Sequence, residues 1–335
     1  MLDADRLLTG PRGRRLCFEL TAEADDGLLG WVGDLTTPEP GSAPFVAAGS
    51  IWTRALQALR SALPSATEPT RMRDDADLEG FIAHLAAIEV DLDARRLMRA
   101  FAASADRARY WQSPDQEDVL CAHPAVIEAL RPIAERVVAH PAASWWSTPA
   151  SAEQWWLVDP DLTDGEDVTD EWWEVGGWWS TPMPAIHTTR AVDGLGPVGL
   201  WLEEDAFDHT RYEARLIDDG GAVLEISTAD AWVELCRRHP REAPKDTAGS
   251  WHDVTGWRGR WVLPDWRAVA HEWDGVHIQP VAYLEGATRA LPIDDDTATM
   301  VAGWHPDATY RFGRPAVVRT ERWQRDDDYS PWRRG

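Results

Sequence analysis

The apolar positions keep a helical period in the first part of the chain and a shorter, strand-like rhythm in the second. Leu97, Phe101, Ala105 and Ala108 recur at helical spacing, with Arg95, Arg96, Arg99 and Arg107 mostly on the opposite side, which predicts an amphipathic helix. Val126, Leu130, Ile133 and Val137 form a second stripe that opens at His123-Pro124, where proline suits the first helical position. Pro132 within that stripe should kink the helix or split it in two. A further short helix is expected over 51–63, followed by a Pro/Ser/Thr-rich linker over 64–73. Near the start, 15–20 and 27–32 read as two short strands paired across the polar turn Ala24-Asp25-Asp26.

Beyond residue 145 the apolar runs shorten and are bounded by Gly, Pro or Asp, as strands are. Strands are expected over 155–158, 185–189, 198–202, 222–226, 261–263, 276–279, 299–304 and 316–320. Helices are expected over 228–238, where Ala229, Trp232, Val233 and Cys236 share a face, and over 265–273. Thr228 or Ser227 would cap the first, and Asp265 lies near the start of the second, where an acid favours the dipole. Strands with inserted helices predict an α+β fold, not a βαβ repeat. Tryptophan marks the same change: only Trp31, Trp52 and Trp111 precede residue 145, and the other 18 of the 21 follow. A Pro/Ala/Ser stretch at 140–144 adjoins that shift. The expected organisation is a mainly helical domain with a short strand pair over 1–143. A Trp-rich α+β domain over 144–335 then follows as the candidate functional domain. Trp145-Trp146-Ser147-Thr148-Pro149 recurs as Trp178-Trp179-Ser180-Thr181-Pro182, an echo too short for a solenoid.

Composition narrows the function classes. The 335 residues carry 33 basic and 57 acidic side chains, a formal charge of -24. That balance disfavours a nucleic-acid binder that neutralises phosphates, and an acidic surface is repelled by anionic lipid. No apolar stretch approaches a membrane span and the N-terminus does not read as a secretory signal, so a cytoplasmic location is expected. Cys17, Cys121 and Cys236 are far apart and lack CxxC spacing, which fits buried thiols in a reducing compartment. Lysine occurs once, at Lys245, against 32 arginines, the bias of a GC-rich bacterial genome.

Candidate chemistry is scattered. The pairs Trp145-Trp146, Trp155-Trp156, Trp172-Trp173 and Trp178-Trp179 would either pack the core and the junction between the domains or form a platform for a sugar, a base or a partner protein. The loop over 159–171 holds seven carboxylates and no base, but its third acid and its glycine are displaced from the EF-hand positions. His271, Asp274 and His277 lie at steps of three, without the HExxH spacing of a zinc helix, and no metal site is expected. G-x-S-x-G, P-loop and GxGxxG motifs are absent, which weakens serine-hydrolase, P-loop and dinucleotide-fold readings.

One segment is more specific. A strand ending in His187-Thr188-Thr189-Arg190 is followed by Val198-Gly199-Leu200-Trp201-Leu202, a polar stretch with His209 and Tyr212, a strand over 222–226, then Trp273-Asp274-Gly275-Val276-His277 and Tyr283-Leu284-Glu285. This order resembles bacterial ADP-ribosyltransferase-like domains of the His-Tyr-Glu type, over about 100 residues. The resemblance implies an enzyme using NAD as substrate, with His187 holding the nicotinamide-side ribose beside Thr188 or Thr189. It makes Tyr212 the ring that stacks on nicotinamide and Glu285 the acid that stabilises oxocarbenium charge. Thr188 stands where the family has a small residue. Trp201 could replace Tyr212, and Glu272 or Asp274 could replace Glu285. The competing expectations are a non-catalytic, acidic, Trp-rich module that grips a basic protein, in the manner of an immunity or antitoxin partner, and a glycan-binding protein.

Overall fold

The computed structural model describes residues 2–36, 70–73, 77–160, 177–182, 185–204, 209–218, 220–326 and 330–335. The expected helix over 51–63, the linker as far as residue 69, most of the acidic loop and Trp172-Trp173 lie outside the described residues.

The first part is helical: α1 (Ala4–Thr9), α2 (Pro11–Ala22), α3 (Gly27–Leu35), α4 (Leu78–Ala87), α5 (Ala94–Asp106), α6 (Gln116–Cys121) and α7 (Pro124–Ala139). Aspartates start several of them. Asp93 accepts the backbone N–H groups of Arg95 and Arg96 at 2.8 Å each, and Asp115 accepts that of Asp118 at 2.8 Å, which satisfies donors that a helix start leaves unpaired. α7 runs through Pro132 unbroken. Pro132 is exposed, and the carbonyl it deprives of a partner belongs to the exposed Glu128, so water can take the place of the missing N–H.

The two strands expected over 15–20 and 27–32 are helical, in α2 and α3. A short apolar run carries no period of its own, and α2 is buried around most of its circumference. Even Arg12 and Arg15 are buried in it. Arg15 reaches Glu19 at 2.6 Å and Asp115 at 2.9 Å, while Arg12 pairs with Asp118 and donates to the Ser104 carbonyl at 3.0 Å. Burial opposes the charge on Arg15, but the surrounding carboxylates outweigh it and hold the guanidinium well above its usual range.

After a 3-10 turn over Pro141–Ser147 the chain becomes mostly strand, and the fold is mixed α+β with its helices concentrated in the first half. An eight-stranded sheet has the order β14-β13-β5-β1-β2-β12-β9-β6. Its members are β1 (Gln154–Val158), β2 (Ile186–Thr189), β5 (Arg211–Asp218), β6 (Val223–Ile226), β9 (Gly275–Ile278), β12 (Thr309–Arg311), β13 (Ala316–Gln324) and β14 (Arg333–Arg334). Among the described residues only β6 and β9 pair in parallel in this sheet. A second sheet joins β10 (Leu291–Pro292), β11 (Thr297–Thr299), β8 (Arg260–Pro264) and β7 (Pro240–Glu242), while β3 (Ala191–Val192) and β4 (Gly196–Pro197) form a small ribbon. Helices α8 (Ala229–Arg238), α9 (Lys245–Thr255), α10 (Trp266–Ala270) and α11 (Pro280–Gly286) complete this part. The strand expected over 198–202 is a 3-10 turn at Val198–Leu200, entered from Gly196 at φ 77° and Pro197. Tyr283-Leu284-Glu285 lies in α11, which Pro280 opens.

The change of element type near residue 143 is not a break in packing. One contiguous core runs from Leu7 and Phe101 through Trp146 to Trp232, Tyr283, Trp304 and Tyr310. Phe101 meets Trp146 edge-on at 5.0 Å, and Trp111 meets Trp178 at 4.6 Å. Trp155 and Trp156 are both buried on opposite faces of β1. The second Trp-Trp-Ser-Thr-Pro segment is pinned inside: Trp304 Nε1 donates to Ser180 Oγ at 3.1 Å, Trp266 Nε1 to the Ser180 carbonyl at 3.0 Å, and Trp251 Nε1 to the Trp178 carbonyl at 2.8 Å. Gly303 passes under Trp179 at φ 73°, where a β-carbon would stand 1.9 Å from the ring. The described tryptophan pairs therefore serve packing.

Candidate functional site

Residues on alternate positions of neighbouring strands share a face, and the register brings His187 beside Tyr310. The His187 and His305 rings lie with their centres 4.8 Å apart, tilted by 39°. Together with Trp155, Thr189, Leu202, Glu203 and Pro306 they line a cavity of about 20 Å³, room for about one water. The Glu204 backbone N–H donates to His305 Nδ1 at 3.1 Å, which places the proton of a neutral ring on Nε2. Burial pushes His187 down to about 4, and burial with the neighbouring imidazole pushes His305 down to about 3. Both rings are neutral near pH 7. Glu203, raised by burial, accepts the Tyr212 hydroxyl at 3.0 Å. The Tyr212 ring in turn lies 5.5 Å from that of His209, inclined by 52°, and His209 reaches Asp159 at 2.6 Å.

Of the residues that the sequence nominates, His187 and Thr189 line this cavity, and Tyr212 joins it through Glu203. Trp201 packs against the Leu200–Tyr212–Trp332 cluster, and its Nε1 donates to the Leu195 carbonyl at 3.1 Å. Thr188 points to the opposite face of β2 and donates to Gln154 at 2.8 Å. Glu285 is not in the cavity lining. Its carboxylate pairs with Arg6 of α1 at 3.0 Å and accepts the Ala229 N–H at 3.1 Å, at the start of α8. The carboxylate that lines the cavity with His187 is Glu203, a residue the sequence does not nominate.

A second constellation was not legible at all. His277 is fully buried between two carboxylates, with Nδ1 2.7 Å from Glu225 and Nε2 3.2 Å from Asp307. Asp307, at φ 66°, also receives Arg190 Nε at 2.6 Å and the Arg190 backbone N–H at 3.1 Å. Burial alone would lower His277, but its bonds to Asp307 and Glu225 prevail and raise it; burial would raise Glu225, and the bond from His277 prevails and lowers it. The result is an alternating row of charges, Glu225, His277, Asp307, Arg190, that ties β6, β9 and the approach to β12 to the end of β2. Both ring nitrogens are committed, so His277 has none to offer a substrate. The metal trio read from spacing also separates, since His271 is exposed and His277 is buried. Among the described residues no group of three or more His, Cys, Asp or Glu side chains is placed to hold a metal ion.

A far larger opening than this cavity lies elsewhere, at the end of the sheet where β6 and β9 begin. A groove of about 960 Å³ is walled by Asp218 and Gly220-Gly221, the stretch from Arg267 through His271 and Trp273 to Asp274, and the stretch from Arg311 through Phe312 and Arg314 to Pro315, so two carboxylates, Asp218 and Asp274, share it with three arginines. Asp274 clamps its floor. Its side chain accepts the Ala222 N–H at 2.8 Å, its own N–H donates to the Ala222 carbonyl at 2.8 Å, and its carbonyl accepts the Phe312 N–H at 3.0 Å. Gly221 packs on Asp274 so closely that a β-carbon there would stand 2.7 Å from it. Arg267 from one stretch and Arg311 and Arg314 from another thus reach one groove, beside the rings of Trp273 and Phe312. Arg314 also covers the ring of Trp156 at 6.0 Å.

None of the described helices is long and apolar enough to cross a membrane. Comparison of the chain with protein-family models, with curated proteins and with solved structures finds no match.

Proposed function

We propose that the chain binds an anionic ligand that carries a flat ring, of the nucleotide class to which NAD belongs, in the groove between Gly220-Gly221, Trp273-Asp274 and Arg311–Pro315. The observation that carries the reading is the convergence of Arg267, Arg311 and Arg314 on one groove of a protein whose net charge is -24. Size decides between the two openings. A ligand-binding site occupies roughly 300–1,000 Å³; the groove reaches that range and the His187–His305 cavity does not. Guanidinium groups recognise phosphate by paired, charge-assisted hydrogen bonds, and Trp273 supplies a face for ring stacking. The glycine backbone at Gly220-Gly221 adds no side chain to the groove wall.

The reading keeps the nucleotide of the transferase expectation without its catalytic residues, because His187, Tyr212 and Glu285 do not line the groove. Capture of a basic protein rested on the Trp pairs, the acidic loop and the net charge of -24; the described pairs are packed in the protein, and most of the loop is outside the described residues. The test is a thermal-shift series. ADP and ADP-ribose should raise the melting temperature, since a ligand of the native state stabilises it. Adenosine should fail for lack of charge, and Arg267→Ala with Arg314→Ala should abolish the shift by ADP. A shift by adenosine equal to that by ADP, or one unchanged in the double variant, would refute the reading.

A further inference from the structure

We infer that the open edge of β13 is a strand-addition site for an extended acidic segment of a partner protein. β13 is the penultimate strand of the eight-stranded sheet, and β5 occupies its inner edge from Ala316 to Gln324. On its outer edge β14 pairs only with Trp323 and Gln324, and Gly335 N–H donates to the Arg322 carbonyl at 2.8 Å. Among the described residues no strand covers the outer edge from Ala316 to Glu321. The edge is therefore long enough for a partner strand of about five residues.

The side chains on this edge depart from the rest of the surface. Among the described residues the exposed large hydrophobics are Leu29, Val317 and Val318, and two of these three are neighbours on β13. The register steps from Val317 opposite Ile217 to Arg319 opposite Leu216, so Val318 is an extra residue expelled at a bulge, 62% exposed. Proteins commonly blunt an edge by a bulge that turns a charge or a proline outward; here the bulge presents an apolar side chain. Bare backbone with an apolar side chain at its centre is what a docking strand engages.

Charge identifies the occupant. Arg314, Arg322, Arg319, Arg333 and Arg334 surround the edge, and all are exposed. Among the described residues the acids facing them are Glu321, buried between Arg319 at 3.3 Å and Arg334 at 2.7 Å, Asp326 paired with Arg333 at 2.5 Å, Asp218 opposite Ala316, and Glu213 opposite Arg322, itself paired with Arg215 at 3.2 Å. Among the described residues the excess at this edge is cationic, on a molecule that is anionic as a whole. A second copy docking edge to edge would set arginines against arginines, whereas an acidic segment meets complementary charge.

The probe is a dye-labelled nonapeptide of alternating glutamate and valine, followed by fluorescence anisotropy, with hydrogen exchange locating the contact. The inference expects salt-sensitive binding and slowed exchange over residues 316–322. Arg322→Glu should weaken the peptide about tenfold, or roughly 1.4 kcal/mol. Val318→Pro, at an edge bulge where proline is tolerated, should weaken it at least as much while the melting temperature and ADP binding are retained. No binding to the folded protein, equal binding of the lysine–valine counterpart, or protection confined to other segments would overturn it. So would a concentration-dependent dimer that protects 316–322, which would make a second copy the occupant. Loss of ADP binding in wild-type protein bears only on the groove and leaves this result standing.

Discussion

Gly10, between α1 and α2, lies so close to Leu284 of α11 that a β-carbon on it would stand 1.9 Å from the Leu284 carbonyl oxygen. Helical front and sheet-bearing back are in direct backbone contact there, and Arg6 pairs with Glu285 one residue further along α11. A boundary visible in composition is thus buried inside one core.

Gly10→Ala should therefore destabilise the whole molecule and not the front alone. Forcing a methyl group into a packed backbone contact costs about 1–3 kcal/mol. Melting followed by near-UV and far-UV circular dichroism should give one coincident transition in both proteins, lower in the variant. Two separated transitions in the wild type would show that front and back unfold independently.

The two cavity histidines predict acid sensitivity with a defined sign. His187 and His305 titrate in the folded state at about 4 and about 3, below their unfolded values. The unfolded chain therefore takes up their protons first as pH falls below roughly 6.5, and folding stability declines by up to about 1.4 kcal/mol per pH unit for each ring. Denaturant titrations between pH 6 and pH 5 should show a loss of roughly 2–3 kcal/mol, about half of which disappears in His187→Gln. A stability flat across this interval would contradict neutral, enclosed rings.

His277 has the opposite sign. Its folded value is raised, so its contribution is fully present below the unfolded value near 6.5 and is lost as pH rises through the folded value. Glu225, which is lowered, contributes above its unfolded value and loses that contribution under acid. Removing one member leaves the others buried without a counter-charge, and Asp307→Ala should cost about 3–5 kcal/mol. Chemical denaturation is the check, and a loss below about 1 kcal/mol would mean that the row of charges is not coupled.

What the sequence disclosed follows from where the information lies. α5 and α7 were legible because Leu97/Phe101 and Val126/Leu130 repeat at helical spacing over three or more turns. α2 was misread because its helix is buried nearly all round, and Arg12 and Arg15 look like surface residues until Asp115 and Asp118, about 100 positions away, enclose them. The strands at 155–158 and 223–226 were recoverable from short apolar runs between breakers. The 3-10 turn at Val198–Leu200 was not, because its direction is set by Gly196 and Pro197 ahead of it. His187 was found in its strand, yet its neighbour His305 and the Glu203 that lines the same cavity are brought in by packing. The Glu225–His277–Asp307–Arg190 row and the groove arginines are assembled from distant segments, with no local spacing to reveal them.

The groove proposal meets its most direct test in calorimetric titration of ADP into wild-type protein and into Arg267→Glu, with ionic strength varied. Three converging guanidinium groups predict measurable binding that weakens as salt rises, and reversal of one charge should cost about 2 kcal/mol or more, some thirtyfold in affinity. Binding of equal strength in both proteins, or no binding at low salt, would contradict an anion site formed by Arg267, Arg311 and Arg314.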